Sequence, residues 1–413
     1  MSTTMNRIPE LLIPAGNLSK LRVALAYGAD AVYVGAAGFS MRPDSASFDL
    51  PTLEKAARMT HDAGKHIYVA INSLMFQNDL PMLDEWLVQT QDLPLDAVIV
   101  SDPGLFSVVR DKRPELRVHI STQMSTSNAI SASFWKKLGA QRVILARECT
   151  LQDATEIAMT SDIEVEIFVH GAMCVAVSGR CLLSAHLCGK SGSRGECKHS
   201  CRWEWQLVEQ KRPGESIPAF ETGRETILLG SADLCLIEHI PQIVNAGVHS
   251  LKVEGRMKSE YYVASVTRVY REALDRYAAD PANYKTDPAW LSELEAVSHR
   301  PYSTGFAFGY PDNSPYKLQA HNRHISTHQL VGYIERVESG QHELIVKNPF
   351  SVGDALEWIG PGMQGGILHV GEIMNERGRP VLKVEGGMRL FISFEEEVEL
   401  PVNGILRRKV IQV

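Results

Sequence analysis

The sequence predicts an α/β protein: a (β/α)8 barrel of the TIM type with a Cys-rich insertion after strand 7, followed by a small C-terminal β-barrel domain. Three observations support this fold class. Eight short apolar runs rich in β-branched residues recur up to Val253, and helix-length segments separate all but the seventh from the next. Five of the seven cysteines fall within the long interruption after the seventh run. From about Gln329 onward the pattern changes to short alternating strands separated by Gly and Asn turns.

A repeated pattern marks the junctions between predicted helices and strands. A helical stretch ends at a glycine, two or three residues follow, and a β-branched strand begins, as around Gly28, Gly64, Gly139 and Gly247. Glycine supplies the left-handed conformation that ends each helix. The eight predicted strands are Leu11–Ile13, Ala31–Gly35, His66–Ile71, Ala97–Ser101, Arg117–Ser121, Arg142–Ala146, Val165–Val169 and Ser250–Val253.

The same patterns predict the domain boundaries. The barrel is expected to span residues 1–310 and to contain the insertion at about 171–245. An insertion of roughly 75 residues is far longer than the usual ~2–6 residue βα loop. A linker at 311–328 leads to the C-terminal β-barrel domain at 329–413. The strands predicted for that domain are HQLVGYIERV, HELIVKN, GDALEWIG, ILHVGEIM, PVLKVEG and LFISFE.

Composition narrows the class of function. The 413 residues are 44% hydrophobic and carry a net charge of -7, which argues against broad, nonspecific binding of polyanions. Local basic clusters near the cysteines and the C-terminus fit either one RNA-binding face or scattered solubilising charges. No apolar stretch of about 18 residues and no signal-peptide pattern occurs, so we expect a cytoplasmic protein. In that reducing compartment, cysteines serve metal binding or redox chemistry rather than disulfides.

The crowded cysteines are Cys174, Cys181, Cys188, Cys197 and Cys201. Thiolates held this close together without disulfides require a soft metal or a cluster to neutralise them. The spacings C-x6-C and C-x3-C differ from the C-x2-C pairs of structural zinc sites, which favours a 4Fe-4S cluster but leaves zinc open. The alternative is that these cysteines are free, buried side chains with no chemical role.

Polar residues follow the predicted strands at the barrel end where catalytic groups collect. They are Gln123, Asn128, Arg147, Glu148, His170, Glu254 and Arg256. Arg256 is the strongest candidate, because it lies between the last strand and a helix, where barrels often bind an anion. A guanidinium there can bind a carboxylate or phosphate through two hydrogen bonds. The structural alternatives are an ion pair with Glu254 and ordinary hydrogen bonds to loops.

Four segments resemble the signature of a known family. They are EIFVHGAMCVAVSGRCLLS, RGECKHSCRWEW, SLKVEGRMKS and HRPYSTGF. They are similar to proteins catalogued as collagenase-like peptidases, peptidase family U-thirty-two. The resemblance covers residues 10 to about 310 and, more loosely, the C-terminal domain. It is greatest to the branch of tRNA uridine hydroxylation proteins.

The resemblance implies an enzyme, or a component of one, that hydroxylates the wobble uridine of tRNA to 5-hydroxyuridine in a prephenate-dependent reaction. It also implies a 4Fe-4S cluster on Cys174, Cys181, Cys197 and Cys201, with Cys235 as a substitute ligand. The implied partners are tRNA, a small dicarboxylate such as prephenate, and a further protein.

That function predicts roles for the residues at the barrel mouth. The expected catalytic residues are Arg256, Glu254 and His170. Two carboxylates need two cationic groups, and a flipped-out uridine needs aromatic side chains on which to stack. The expected substrate-binding residues are Arg42, Gln123, Arg147, Arg180 and Tyr302, with Trp203 and Trp205 as further stacking candidates.

Two other functions stay open. The chain could be a cluster-bearing scaffold in another hydroxylation complex, of the rRNA or ubiquinone pathway. It could also be a peptidase, although no HExxH or GxSxG motif occurs and only a cysteine of the cluster with His170 as base offers a nucleophile. His321, His324 and His328 have metal-like spacing but are more typical of solvated linker residues.

Overall fold

The computed structural model of the chain describes residues 7–42, 44–174, 181, 183–200, 220–222, 225–227, 232–309, 325–338 and 341–410. These residues divide into two compact units. The first comprises the described residues up to Leu21, Asp30–Met257, and those from Arg300 to 309. The second comprises Arg22–Ala29, Lys258–His299 and the described residues from Ile325 onward.

The first unit contains a closed barrel of eight parallel strands, and the predicted fold class is confirmed. The strands of this unit are β1 (Glu10–Pro14), β2 (Ala31–Gly35), β3 (His66–Ile71), β4 (Ala97–Val100), β5 (Arg117–Ile120), β6 (Arg142–Ile144), β7 (Glu164–Ala172), β8 (Phe220–Thr222), β9 (Glu225–Ile227), β10 (Asp233–Cys235), β11 (Ser250–Val253) and β12 (Tyr302–Ser303). Strands β1 to β7 pair in chain order, and β11 closes the barrel by pairing in parallel with β1 and β7.

Helices connect the strands as the βα rhythm predicts. The α-helices among the described residues are α1 (Leu18–Ala26), α2 (Leu50–Asp62), α3 (Leu80–Gln89), α4 (Pro103–Lys112), α5 (Ala129–Leu138), α6 (Leu151–Thr160), α7 (Leu183–Cys188), α8 (Ile240–Asn245), α9 (Glu260–Ala279) and α10 (Pro288–Ala296). Their ends are set by local chemistry. Thr150 and Asp153 form a capping box at the start of α6, and Gly139, with a φ of 98°, ends α5 in the left-handed conformation.

The cysteine-rich insertion begins where β7 runs past the barrel. Strand β7 extends to Ala172 rather than ending at Val169, and its added residues pair antiparallel with β10. Strand β12 then pairs in parallel with β10. His170 therefore lies within β7, opposite Cys235 of β10, and not in a loop beyond the strand.

The barrel interior near the start of the strands holds a network of buried charges. Arg142 Nη1 lies 2.7 Å from Glu10 Oε1 and 3.1 Å from Glu166 Oε2. Lys252 Nζ donates to Glu166 Oε1 at 2.8 Å, and the Tyr68 hydroxyl donates to Glu10 Oε2 at 2.6 Å. Each buried carboxylate thus has a cationic partner and further hydrogen bonds, which offset the cost of desolvation.

The second unit contains a closed six-stranded antiparallel barrel. The strands of this unit are β13 (His328–Glu338), β14 (Gln341–Val346), β15 (Phe350–Ser351), β16 (Ala355–Ile359), β17 (Gly365–Asn375), β18 (Lys383–Val384), β19 (Arg389–Phe394) and β20 (Ile405–Lys409). The barrel order is β13-β14-β19-β17-β16-β20, whereas β15 and β18 pair only with each other.

One predicted strand of this barrel is wrong. The segment PVLKVEG contributes only the two-residue strand β18, and β20 is the sixth barrel strand. Arg407 of β20 is buried rather than exposed: it binds Glu293 of α10 at 2.8 Å, the Tyr261 hydroxyl of α9 at 2.9 Å and Glu357 of β16 at 3.1 Å. The basic residues near the C-terminus therefore belong to a strand, and carboxylates of the same unit neutralise Arg407. No described helix combines the length and apolarity needed to cross a membrane.

We predict that loss of one partner from the buried ion pairs at the start of the barrel strands destabilises the first unit strongly. Replacing Arg142, whose side chain is 7% exposed, by Met leaves the carboxylates of Glu10 and Glu166 without this partner. The free energy of unfolding, measured by urea titration, should fall by about 3–5 kcal/mol. Arg58→Met, which removes only an exposed pair with Glu54, should change it by less than about 0.5 kcal/mol. Equal effects of the two variants would contradict the prediction.

Candidate functional site

The candidate site lies at the carboxyl ends of the barrel strands. Glu254 directly follows β11, Arg147 follows β6 by three residues, and Arg42 lies in the loop after β2. The carboxyl ends of parallel barrel strands meet at one rim, so residues far apart in sequence come together there. We call Arg42, Arg147, Glu254 and Arg256 the mouth cluster.

Glu254 is the centre of the mouth cluster. Its Oε1 accepts a hydrogen bond from Arg42 Nη2 at 3.0 Å, and its Oε2 accepts one from Arg147 Nη2 at 3.3 Å. Burial alone would raise the pKa of Glu254, but the guanidiniums of Arg42 and Arg147 outweigh burial and lower that pKa to about 2. The carboxylate is therefore ionised at every physiological pH, and Glu254 in turn raises the pKa of Arg42.

Arg147 is held in place from three sides. Its guanidinium lies over the ring of Phe168, with 3.8 Å between Cζ and the ring centroid. Its Nη1 donates to the carbonyl of Ala172, at the end of β7, while Nη2 binds Glu254. A side chain fixed in this way is preorganised to present its remaining N–H groups to a ligand.

Arg256 has a different environment from the other two arginines. It is 4% exposed, and within the described residues its Nη1 is buried without a hydrogen-bond partner. Burial, and then repulsion by Arg42, lower its pKa to about 10. The guanidinium lies 5.9 Å from the ring centroid of Tyr33. A buried guanidinium nitrogen that has no partner in the part of the chain that the structure describes is the feature expected of a site that binds an anion.

Gly35, at the end of β2, makes room for Arg256. A Cβ at this position would collide with Arg256 Nη1 and would lie 2.7 Å from the hydroxyl of Ser40. The glycine is thus required by a close approach of side chains and not by its own backbone angles. Sequence reasoning missed this role, although a glycine that ends a buried strand is a signal for such an approach.

Gln123 supports the loops at the mouth. It is buried, and its Oε1 accepts hydrogen bonds from Asn72 Nδ2 at 3.0 Å and from the Ser121 hydroxyl at 3.1 Å. Asn72 directly follows β3, and its Oδ1 accepts from the backbone N–H of Met41, beside Arg42. This chain of bonds connects the ends of β5 and β3 to the loop that carries Arg42. Sequence reasoning did not single out Asn72.

His170 and Tyr302 come together beside the barrel. Their ring centroids lie 5.3 Å apart, and His170 is buried in β7. The backbone N–H of Glu254 donates to the carbonyl of His170, so this residue also fixes the chain at the mouth cluster. Asn128, another strand-end candidate, caps α5 by accepting from the N–H of Ser131.

The described cysteines offer sulfur ligands of the kind that binds a metal cluster. The N–H of Leu183 donates to Cys181 Sγ, and the N–H of His199 donates to Cys197 Sγ, each at 3.4 Å. Such N–H···S bonds stabilise thiolates and tune iron–sulfur clusters. Cys174 is exposed and close enough to Arg42 to contribute to its raised pKa.

The complete ligand set stays a prediction. Cys201 lies outside the described residues, as do Arg180, Trp203, Trp205, His321 and His324. Among the residues that the structure does describe, no three His, Cys, Asp or Glu side chains lie close enough together to hold a metal ion. Cys235, the substitute ligand, is half-buried in β10, and His328 binds Glu357 in the second unit.

Part of the insertion is anchored on the barrel rim. Arg194 binds Asp79 through both nitrogens, Nη1 to Oδ2 at 2.7 Å and Nη2 to Oδ1 at 3.2 Å, and Nη1 also donates to the carbonyl of Leu74. The N–H of Leu74 donates to the carbonyl of Ser193 at 2.9 Å. Gly195, with a φ of 82°, packs closely against the rim: a Cβ there would lie 3.1 Å from the carbonyl oxygen of Arg42, a tight contact.

Fold and site together define the class of protein: it has a TIM-like barrel whose mouth is cationic and lies beside a cysteine-rich insertion. The model of Peptidase family U32 matches residues 16–316, and that of the Peptidase family U32 C-terminal domain matches residues 326–407. The chain therefore belongs to peptidase family U32, as the four sequence segments indicated.

Named relatives match nearly the whole chain. The tRNA hydroxylation protein P1 of Bacillus subtilis (strain 168) is 36% identical over 404 residues, 97% of this chain and 94% of the relative. The tRNA hydroxylation protein P of Escherichia coli (strain K12) is 36% identical over 436 residues, 95% of each chain. A protein named Collagenase from Porphyromonas gingivalis (strain ATCC BAA-308 / W83) is 30% identical over 94% of this chain and 95% of its own.

We predict that ionised Glu254 stabilises the fold. Its pKa lies near 2 in the folded protein against an ordinary value of 4.5, which corresponds to about 3 kcal/mol near neutral pH. Because the folded pKa is lowered, this stabilisation is complete above about pH 4.5 and is lost as the pH falls toward 2. In urea titrations, Glu254→Gln should be less stable by about 3 kcal/mol at pH 7, with a gap that narrows below pH 4.5. Glu54→Gln is the exposed control, and a Glu254→Gln protein as stable as the wild type at pH 7 would refute the prediction.

We predict that Arg194 keeps the insertion on the rim. Arg194→Met removes the paired hydrogen bonds to Asp79 but leaves the bond from the N–H of Phe76 to Asp79. Because Arg194 is 38% exposed, the loss should be only about 1 kcal/mol. Hydrogen exchange at the amide of Leu74, read by mass spectrometry, should accelerate about fivefold. Lys190→Met, which removes an exposed pair in the same insertion, should leave that rate unchanged, and equal rates in all three proteins would count against the anchor.

Proposed function

We propose that this protein takes part in tRNA modification, the hydroxylation of a wobble uridine to 5-hydroxyuridine, with prephenate as co-substrate. The mouth cluster is the observation that carries the proposal. It places three arginines around one glutamate, so two positive charges remain uncompensated among these four side chains in a largely buried site. A ligand with two carboxylates would neutralise that excess.

The roles of the individual residues follow from their partners. Arg256, whose Nη1 has no hydrogen-bond partner among the described residues, would receive one carboxylate of the ligand. Arg42 and Arg147 would share the other carboxylate with Glu254, which holds both guanidiniums in position. Prephenate is a dicarboxylate, so one molecule offers a carboxylate for each of these two positions. The names of the relatives from Bacillus subtilis and Escherichia coli support tRNA as the other substrate.

The cysteines would supply the redox centre. Hydroxylation of uracil at C5 is a net two-electron oxidation: the C5–H bond is replaced by C5–OH, the oxygen atom comes from a donor outside the protein, and an external oxidant takes up the two electrons. When bound, a 4Fe-4S cluster supplies one-electron transfer. Cys174, Cys181, Cys197 and Cys201 would hold it, and the N–H···S bonds at Cys181 and Cys197 support a thiolate role for these two. The Arg194–Asp79 pair would keep the segment that carries Cys197 against the barrel rim.

A peptidase is the second candidate, because the family and the Porphyromonas gingivalis relative carry such names. The chemistry of the described site gives it less support. Cys149, which lies outside the cysteine cluster, adds no further nucleophile, because burial, followed by the charge of Asp153, raises the pKa of its thiol to about 12. The mouth cluster offers anion-binding groups rather than a paired nucleophile and base.

We predict that a strain lacking this protein loses 5-hydroxyuridine-derived nucleosides from its tRNA, as measured by mass spectrometry of digested tRNA. Wild-type protein should restore them. Arg256→Met should reduce them at least about tenfold, because it removes a buried charged contact with the ligand. Cys174→Ala should abolish both the recovery and the iron content of anaerobically purified protein.

The control is Arg110→Met, which removes an exposed guanidinium bound to the carbonyl of Pro114, and it should restore the nucleosides fully. An unchanged nucleoside profile in the strain lacking the protein would contradict the proposal. It would shift support to a role as a cluster-bearing scaffold in the rRNA or ubiquinone pathway. Cleavage of collagen by the purified protein would instead support the peptidase.

A further inference from the structure

Helix α5, on the outside of the parallel barrel, presents an apolar stripe to solvent. Ile130, Phe134 and Leu138 are 84%, 54% and 47% exposed, and they follow one another at intervals of four residues. Side chains with this spacing lie one above another on a single face of a helix. Apolar side chains scattered singly over a surface are ordinary, whereas a contiguous row indicates a binding surface.

Met159 of the neighbouring helix α6 adds to this stripe. Strands β5 and β6 are adjacent in the barrel, and the helices that follow them pack side by side. Lys136 Nζ lies 3.7 Å from Asp162 Oδ2, which brings the end of α5 close to the end of α6. Met159 lies in the last turn of α6 and is 79% exposed. We call these four apolar side chains the outer patch; they offer about 400 Å², a size at which patches on monomers are often functional.

Phe134, in the middle of the stripe, is supported from below by buried aromatic rings. Its ring packs edge-on against the ring of Trp135, with 5.3 Å between the centroids. Trp135 is buried, and its ring centroid lies 5.7 Å from that of Phe106 in α4. An aromatic side chain held in this way loses little conformational freedom when a partner covers it. A preordered aromatic anchor within an apolar patch is typical of a protein interface.

The charges beside the outer patch form two rows of opposite sign. Lys136 and Lys137 make α5 positive, and this helix has no acidic residue. Asp153 and Glu156 make α6 negative, and this helix has no basic residue. A partner surface of one sign would attract one helix and repel the other. A second copy of the chain matches both: with a twofold axis parallel to the helices, each α5 lies opposite the α6 of the other protomer, and opposite charges meet twice.

We propose that α5 and α6 form the interface of a symmetric dimer of this chain, in which the outer patches of the two protomers cover each other. Two patches contribute about 800 Å² of apolar surface, and a polar rim brings the total to the about 1,200–2,000 Å² of a specific interface. Because the patch is small for such an interface, we expect a dissociation constant in the micromolar range. The dimer would form whatever ligand the mouth cluster binds.

Sedimentation equilibrium of the full-length protein tests the dimer. Above about 10 μM the wild type should approach twice the mass of one chain. Ile130→Glu places a carboxylate in the outer patch of both protomers, so the dissociation constant should rise at least about 100-fold. Because Ile130 is 84% exposed, the variant should keep the far-UV circular dichroism of the wild type, which shows that it is folded.

Val88→Glu is the matched control. It introduces the same charge at an apolar position of α3 that is 67% exposed and lies outside both helices, and it should leave the dissociation constant unchanged. A wild type that stays monomeric up to about 100 μM would overturn the dimer and favour a different protein as the partner of the outer patch. A dimer that both glutamate variants leave equally intact would also overturn the proposal, because the interface would then lie elsewhere.

A charge exchange tests the pairing of each α5 with the α6 of the other protomer. Lys137→Glu brings two negative charges together in its own dimer, and Glu156→Lys brings two positive charges together. Each variant alone should therefore dimerise about tenfold more weakly than the wild type. An equimolar mixture restores both attractive pairs in a heterodimer, and its dissociation constant should return to within about threefold of the wild-type value. A mixture that associates no more tightly than the separate variants would overturn the pairing of the two helices.

Discussion

The hydrogen bonds from Arg42 and Arg147 to Glu254 are the interaction on which the mouth of the barrel depends. Three arginines would repel one another in a buried site, and Glu254 makes their proximity tolerable by accepting from two of them. The balance is incomplete, since Arg256 contributes charge without a hydrogen-bond partner for its Nη1 among the described residues. The fold thus holds two guanidiniums in place through Glu254 and leaves Nη1 of the third without such a bond among the described residues.

The two ends of the barrel use the same residue types for different purposes. Near the start of the strands, the buried carboxylates Glu10 and Glu166 are matched by Arg142 and Lys252, so the charges are satisfied within the protein. At the other end, positive charges exceed negative ones. Buried ionic groups that are fully paired are costly to separate but need no ligand, whereas a surplus of one sign is typical of functional sites. The balance of positive and negative charge, rather than the presence of charges, therefore distinguishes the buried network near the start of the strands from the candidate site.

Sequence reasoning predicted the barrel well because its signals are local. Periodicity and helix-capping glycines located all eight barrel strands, and strand ends pointed to Arg147, Glu254 and Arg256. Sequence reasoning could not predict features formed by residues far apart in the chain. Nothing near Gly35 in the sequence indicates that Arg256 will occupy the position where a Cβ would lie. The basic run at Arg407 was misleading for the same reason, since its partner Glu293 is far away along the chain.

Arg42 belongs to both parts of the candidate site. Its guanidinium binds Glu254, while its backbone carbonyl lies against Gly195 of the insertion and its charge interacts with Cys174. A ligand carboxylate that competes with Glu254 for Arg42 therefore acts on a residue that the insertion touches. If an anion binds as in the proposed function, linkage makes the effect reciprocal: a rearrangement of the cysteine segment that moves Arg42 and the binding of the anion would shift each other's equilibrium by the same factor. Arg42 is thus the residue through which the cysteine segment contacts the mouth cluster.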